Sequence, residues 1–218
     1  MKIHNKCTAT LIDSMGDDLR VVNAARVSFD KWAEEYKDRD DRLISYLARH
    51  GHWTPFSQVM VTIRIDSPIF VARQWFKSQI GVTRNEMSRR YVDSDPEFYI
   101  PDVFHARPDN GIKQGAGGVH EWSDQYVNWA VERVEYALDT YQTLIAEGMA
   151  PEEARMFLPQ NTMTQWVETG SLAYYARICK QRTDSHAQKA IQQLAEDVSS
   201  VISGIAPKSW AALMESYK

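Results

Sequence analysis

The sequence predicts an α+β protein, a helix-rich single domain spanning residues 1–218 with a small antiparallel sheet. Three observations lead there. Apolar residues recur at three- and four-residue spacing in several windows, whereas alternation with period two is confined to one clear stretch. Prolines and glycines separate those windows. The 218 residues, 44% of them apolar and 25% charged, can bury one core without disulfide or metal support, and no repeat or low-complexity tract interrupts them.

The elements follow in order. Val21-Val22-Asn23-Ala24-Ala25-Arg26-Val27-Ser28-Phe29 opens the informative part, and the charged residues from Asp30 to Arg42 read as a solvated face or loop. Residues 42–49 carry Leu43, Tyr46 and Leu47 at helical spacing until His50-Gly51-His52-Trp53-Thr54-Pro55 breaks the pattern. Val59, Val61, Ile63 and Ile65 alternate with Met60, Thr62 and Arg64, the period of a half-buried strand. Ser67-Pro68 offers an N-cap and first-turn proline to a helix over about residues 68–79, which groups Phe70, Arg73, Gln74 and Lys77 on one side. Residues 96–101 read as a short extended piece. The glycines of 111–118 do not follow a strand in GxGxxG order and predict a mobile loop, not a dinucleotide fingerprint.

Ser123 or Asp124 can cap a long helix that runs to about Glu147 and stops at Gly148, with Tyr126, Ala130, Val134, Ala137, Tyr141 and Leu144 as its buried stripe. A helix from Pro151 ends before Pro159, and residues 171–181 are helical. Asp184 or Ser185 can cap a last long helix carrying Ala187, Ile191, Leu194, Val198 and Val201.

Composition narrows the function. A net charge of −4 argues against a general nucleic-acid binder, whose phosphate contacts need a basic surface. Five cations (Arg73, Lys77, Arg84, Arg89, Arg90) nevertheless stand against one acid, Glu86, between residues 73 and 90, which suits a small phosphorylated ligand. No apolar run is long enough to span a bilayer, and the start lacks a secretory h-region, so a cytoplasmic protein is expected. Cys7 and Cys179 read as reduced thiols, and His50 and His52 lack the partners of a metal site.

The densest chemistry is Arg84-Asn85-Glu86-Met87-Ser88-Arg89-Arg90-Tyr91, where arginine forks and a serine hydroxyl can cradle phosphate oxygens. A solvated loop with local ion pairs has the same composition. Arg155 and Arg182 fall on separate helices; either can be a surface cation or can stabilise negative charge developing on a bound ring. His186 is placed one turn into a helix, as a packing histidine or a base.

Together these segments resemble the flavin-dependent thymidylate synthases over nearly the whole chain. Ala24-Ala25-Arg26-Val27-Ser28, His52-Trp53-Thr54-Pro55-Phe56, Gln74-Trp75-Phe76-Lys77-Ser78-Gln79 with Asn85-Glu86-Met87-Ser88-Arg89-Arg90-Tyr91, and the C-terminal blocks at Ala154-Arg155, Leu158-Pro159, Thr169-Gly170 and Arg182 through Gln188 occur in family order. The resemblance implies a fold of the thymidylate synthase-complementing type and transfer of a methylene carbon from methylenetetrahydrofolate to deoxyuridylate (dUMP), with hydride from FAD that NADPH reduces. It implies no cysteine nucleophile and sites built between subunits of a homotetramer. By position, Gln74, Lys77, Glu86, Ser88, Arg89, Arg90, Arg155 and Arg182 would meet dUMP, with Ser88 and Arg182 catalytic. FAD would meet Ser28, His52, Thr54, Lys77, Ser78, Gln79, Glu86, Ser171, Arg177 and His186.

The departures cluster on the flavin side. Lys77-Ser78-Gln79 replaces the family's Arg-His-Arg, one additional residue precedes Ser88, and Ser171 and Ala173 stand for an asparagine and an arginine. A lysine keeps charge without the bidentate fork. Two other readings accompany the synthase: a sister enzyme that leaves a hydroxymethyl group on the pyrimidine without the reductive step, and a non-catalytic nucleotide-binding homologue.

Overall fold

The computed structural model describes residues 1–108 and 115–216. Residues 111–114 of the glycine-rich stretch lie outside them. The chain opens with β1 (Ile3–His4) and β2 (Thr8–Met15), turns at Gly16, and enters α1 (Asp18–Arg26), where Asp17 caps by accepting from Arg20 N at 3.0 Å. A 3₁₀ turn (Val27–Phe29) and a loop lead to α2 (Asp40–Arg49) and the single turn α3 (Trp53–Phe56). Then come β3 (Met60–Pro68), α4 (Ile69–Trp75), β4 (Val82–Glu86) and β5 (Phe98–Tyr99). The long α5 (Ser123–Ala146) is followed by α6 (Pro151–Ala154), which tightens into a 3₁₀ turn (Arg155–Phe157). The chain closes with β6 (Met163–Ser171), α7 (Leu172–Arg182), α8 (Lys189–Ser203) and α9 (Pro207–Ser216).

The α+β expectation holds. The sheet runs in the order β2-β3-β6-β4, antiparallel throughout, while β1 and β5 form a separate parallel pair. Val61, Ile63 and Ile65 of β3 are completely buried, together with Trp166 of β6 and with Ile191, Leu194 and Val198 of α8, so this sheet face and the C-terminal helices enclose the main core. A smaller cluster of Phe98, Ile100, Val134 and Leu138 fixes α5. No helix among the described residues is long and apolar enough to cross a membrane.

Several expectations are corrected. Ser67 and Pro68 stay in β3, paired with Thr164 and Met163, so Pro68 itself occupies the N-cap of α4 and Ser67 donates only to the neighbouring carbonyl. The helix ends at Trp75, four residues early, which leaves 77–79 in a turn. Ser123 does not cap α5; its Oγ accepts from Phe104 N at 2.8 Å, tying the preceding loop to the helix start. The stripe on α5 is only partly sunk, with Val134, Leu138 and Tyr141 buried and Tyr126, Ala130, Ala137 and Leu144 half-buried. The helix from Pro151 changes to 3₁₀ at Arg155. Neither Asp184 nor Ser185 caps α8, which starts after Gln188; Asp184 instead accepts from His186 N at 2.8 Å within a turn, so His186 lies before the helix. Asp40 is not solvated with its charged neighbours: 1% exposed, it accepts from Arg26 and from Lys37 N, closing the loop between α1 and α2.

Candidate active site

The end of β4 and the turn after it deliver Glu86, Ser88 and Arg89 to a cavity of about 250 Å³, which Arg155 closes from the 3₁₀ turn after α6. Ile69, Leu158 and Met163 supply its apolar wall, and Thr164 of β6 fixes Glu86 by donating to its Oε1 at 2.7 Å. Ser88 Oγ accepts from Arg90 N at 3.3 Å, and Arg89 Nη1 donates to Ser94 O at 2.9 Å. Arg155 Nε is held by Glu152 O at 3.2 Å. Arg90 is placed differently. Its Nε donates to Glu152 Oε2 at 3.0 Å in a half-exposed ion pair, and it does not line the cavity.

A second cluster forms at the other end of α4. Arg182, the last residue of α7, donates from Nη2 to Gln74 O at 3.1 Å, and Gln74 Nε2 donates to Gln188 Oε1 at 2.6 Å. Ile69, the first residue of α4, lines the cavity, and Gln74 lies five positions along, about 7.5 Å on a helix axis. Burial lowers the pKa of the Arg182 guanidinium, which stays charged in any case. Among the described residues only four buried side-chain nitrogen or oxygen atoms lack a hydrogen-bond partner, and two are Arg89 Nε and Arg182 Nε, one in each cluster. A buried donor without an acceptor is costly, so both positions favour an acceptor-rich ligand.

The 77–79 turn follows α4 and leads into β4. Lys77 and Gln79 are exposed and Ser78 is half-buried. The backbone is tied from behind: Arg84 Nη2 donates to Ser78 O at 2.7 Å and Arg177 Nη2 to Ile80 O at 2.7 Å. Ser171, 6% exposed, accepts from Tyr174 N at 3.2 Å and caps α7. His52 is exposed and stacks on Tyr46, and Thr54 is exposed on α3, which packs against α7. Ser28 sits exposed on the first 3₁₀ turn, and His186 forms an exposed pair with Asp184 at 2.9 Å.

Comparison with known proteins decides the family: a model described as "Thymidylate synthase complementing protein" matches residues 10–208. The chain belongs to this family. It is 37% identical over 218 residues to a flavin-dependent thymidylate synthase of Thermosipho africanus, covering 98% of this chain and 93% of that one. The corresponding synthase of Thermotoga neapolitana is 35% identical, with 94% and 89% covered. Among solved structures, a UMP/dUMP methylase PolB from Streptomyces cacaoi bound with 5-Br dUMP superposes with a TM-score of 0.89 at 29% identity, over 99% of this chain and 97% of that one.

The flavin that gives these synthases their name can be tested against the side chains present. An ammonium at 77, amide and hydroxyl groups at 79, 78 and 54, and an imidazole at 52 fit a ligand combining a polar ring with a diphosphate, and all but Ser78 are exposed. Ser171 is turned into its cap, and Arg177 has one nitrogen committed to Ile80 O. Burial pushes the Cys7 thiol up to about 12 and the Cys179 thiol up further, so neither supplies a thiolate nucleophile. Residues that sequence reasoning missed are supporting ones: Thr164 beneath Glu86, Gln188 beside Gln74, Glu152 between two arginines, and Glu168 below Arg84. The signal for Gln188 was present, at the end of the block that begins at Arg182.

Proposed function

We propose that the chain converts dUMP to dTMP in the cytoplasm, with methylenetetrahydrofolate as carbon donor and NADPH as the source of reducing equivalents for a bound FAD. The observation that carries this reading is the pairing of two separated clusters, each with a buried arginine nitrogen that finds no acceptor among the described residues. The cavity of Glu86, Ser88, Arg89 and Arg155 takes the phosphate end of the nucleotide, where guanidinium forks and a hydroxyl match its oxygens. Arg90 joins this end once it exchanges Glu152 for phosphate. Gln74 and Arg182 hold the uracil ring, and Arg182 stabilises negative charge as it develops on the ring, raising electron density at C5 for bond formation to the donated carbon.

Lys77, Ser78, Gln79, His52 and Thr54 hold FAD, joined by Ser28, Glu86 and His186. When bound, FAD supplies the hydride that completes the methyl group. The chain's residues keep the pyrimidine in place, exclude water from the ring and fix the phosphate. Large apolar side chains flank the site residues and face outward, including Phe29, Trp53, Ile80, Tyr91 and Met156. Their exposure supports burial between subunits of a homotetramer.

The visible spectrum of freshly purified protein, recorded before and after adding dUMP, tests the flavin part; mass analysis of the product tests the chemistry. Flavin absorbance that responds to dUMP, with NADPH-dependent formation of dTMP, is expected. A colourless protein that FAD cannot reconstitute, or a hydroxymethyl product, would overturn the reading.

A further inference from the structure

Resting on the reading that the 77–79 turn meets FAD, we propose that Arg84 and Glu168 are positioning residues that set the shape of this turn from inside the protein. Glu168 lies on the central strand β6, opposite Ile63 on one side and Arg84 on the other. It is completely buried, yet its carboxylate is fully partnered. Trp75 Nε1 donates to both oxygens at 3.1 Å, Trp166 Nε1 donates at 3.0 Å, and Arg84 Nε donates at 2.7 Å. The same guanidinium then reaches outward. Its Nη2 donates to Tyr174 Oη at 2.5 Å and to Ser78 O at 2.7 Å, between the rings of Phe76 and Tyr174.

A relay therefore runs from two core indoles through a carboxylate and a guanidinium to the central carbonyl of the turn. The carbonyls just after the turn are bonded as well, Ile80 O by the exposed Arg177 at 2.7 Å and Gly81 O by Ser171 N at 3.0 Å. With the Ser78 carbonyl drawn in, the side chains of Lys77 and Gln79 stay exposed. Stability alone does not explain the arrangement, because a buried ion pair contributes little more than well-packed apolar residues of similar volume. The specific property of this one is geometric: a planar fork joins Glu168, Tyr174 and Ser78 in fixed relative positions, as a lysine cannot.

The test compares Arg84→Lys and the charge-balanced double variant Arg84→Met/Glu168→Gln with the unaltered chain. Three quantities are read: FAD affinity from flavin fluorescence quenching, dUMP affinity from calorimetry, and Tm. In both variants FAD binding is expected to weaken roughly ten- to hundredfold, the scale on which loss of a side chain that orients a metal-binding residue weakens metal binding. The dUMP affinity should stay within about twofold, since the relay touches no residue of the phosphate cavity. Unchanged FAD affinity with a lowered Tm would mean the network only holds the fold, and would overturn the proposal. So would a parallel loss of both affinities. An unaltered chain that binds dUMP but takes up no FAD would instead sink the flavin reading itself, and this inference with it.

Discussion

Replacing Arg182 by alanine separates catalysis from binding. Its Nη2 holds Gln74 O at 3.1 Å, and its Nε, buried without a partner among the described residues, is the donor that the proposed function assigns to the ring. In the ground state the uracil is neutral but the guanidinium is charged, so the lost hydrogen bond is worth about 1.5–3 kcal/mol, roughly a ten- to hundred-and-fiftyfold rise in the Kd for dUMP. In the transition state the same donor faces developing charge, and removing such a donor costs about 2.7–4 kcal/mol, roughly 10²–10³ in kcat. Freeing Gln74 O costs the fold about 1 kcal/mol, which lowers Tm by about 2–4 °C in a chain of this size and leaves the protein folded at assay temperature. Steady-state dTMP formation gives kcat, and calorimetric titration of dUMP gives Kd. Arg182→Lys, which keeps charge but not the fork, should fall between the parent and the alanine variant. Equal losses in kcat and affinity would show that Arg182 only binds, and an unchanged kcat would remove it from the chemistry.

Three further outcomes follow from the geometry. Ser88→Ala and Arg155→Ala should weaken dUMP binding, the arginine by about 1.5–3 kcal/mol, while leaving deoxyuridine binding unaltered; calorimetry with both ligands would expose an error if the nucleoside suffers equally. Gly170→Ala should cost about 1–3 kcal/mol by urea unfolding, because its Cβ would sit 2.6 Å from Tyr174 Cδ1 and 3.0 Å from Tyr175 Cε2, whereas Gly118→Ala, with open space around it, should cost far less. Burial raises the Glu97 carboxyl, but hydrogen bonds and charge from Lys2 and His4 more than offset this and hold its pKa below the ordinary value. Its contribution to stability is therefore present above the unfolded carboxylate's pKa and lost as pH falls through the depressed folded value; Glu97→Gln should flatten that acid limb of the unfolding free energy, and an unchanged limb would refute the linkage.

Legibility along the chain followed how cleanly burial tracks hydrophobicity. β3 could be read because Val61, Ile63 and Ile65 point into the core while Arg64 points out. β6, its neighbour, hid because the inward positions carry Thr164, Trp166 and Glu168 while apolar Val167 is 39% exposed, which inverts the expected alternation. β2 is an edge strand with Leu11, Ile12 and Met15 exposed and a bulge between Leu11 and Asp13, so its pattern slips register partway. β4 has only Val82 and Arg84 partly covered and looks like loop. Helix starts were misplaced where cap-type residues had other partners: Ser123 serves the loop before α5, and Asp184 serves a turn. Asp18 and α9 show the same limit. The carboxylate that accepts from Lys208 N and Ser209 N at the start of α9 lies 190 residues away from it, beyond any local pattern.

The cavity proposed for the nucleotide was legible as a cluster because Glu86, Ser88 and Arg89 are close in sequence and chemically conspicuous; a strand end and a turn suffice to bring them together. The support beneath the flavin side was not, because it depends on register. Arg84 reads as one more cation of the 73–90 cluster until β4 pairs with β6 and sets it opposite Glu168, and Glu168 reads as a surface acid until both edges of β6 are paired, with β3 and β4. Each charge alone would be intolerable at that depth, and together with two indoles they are satisfied. The turn built on them lacks the family's arginines, yet its main chain is fixed by an arginine from within. Loss of a guanidinium from the outward side therefore does not imply a loose turn, and the proposal that Lys77 and Gln79 are a variant means of holding FAD rests on that fixed main chain.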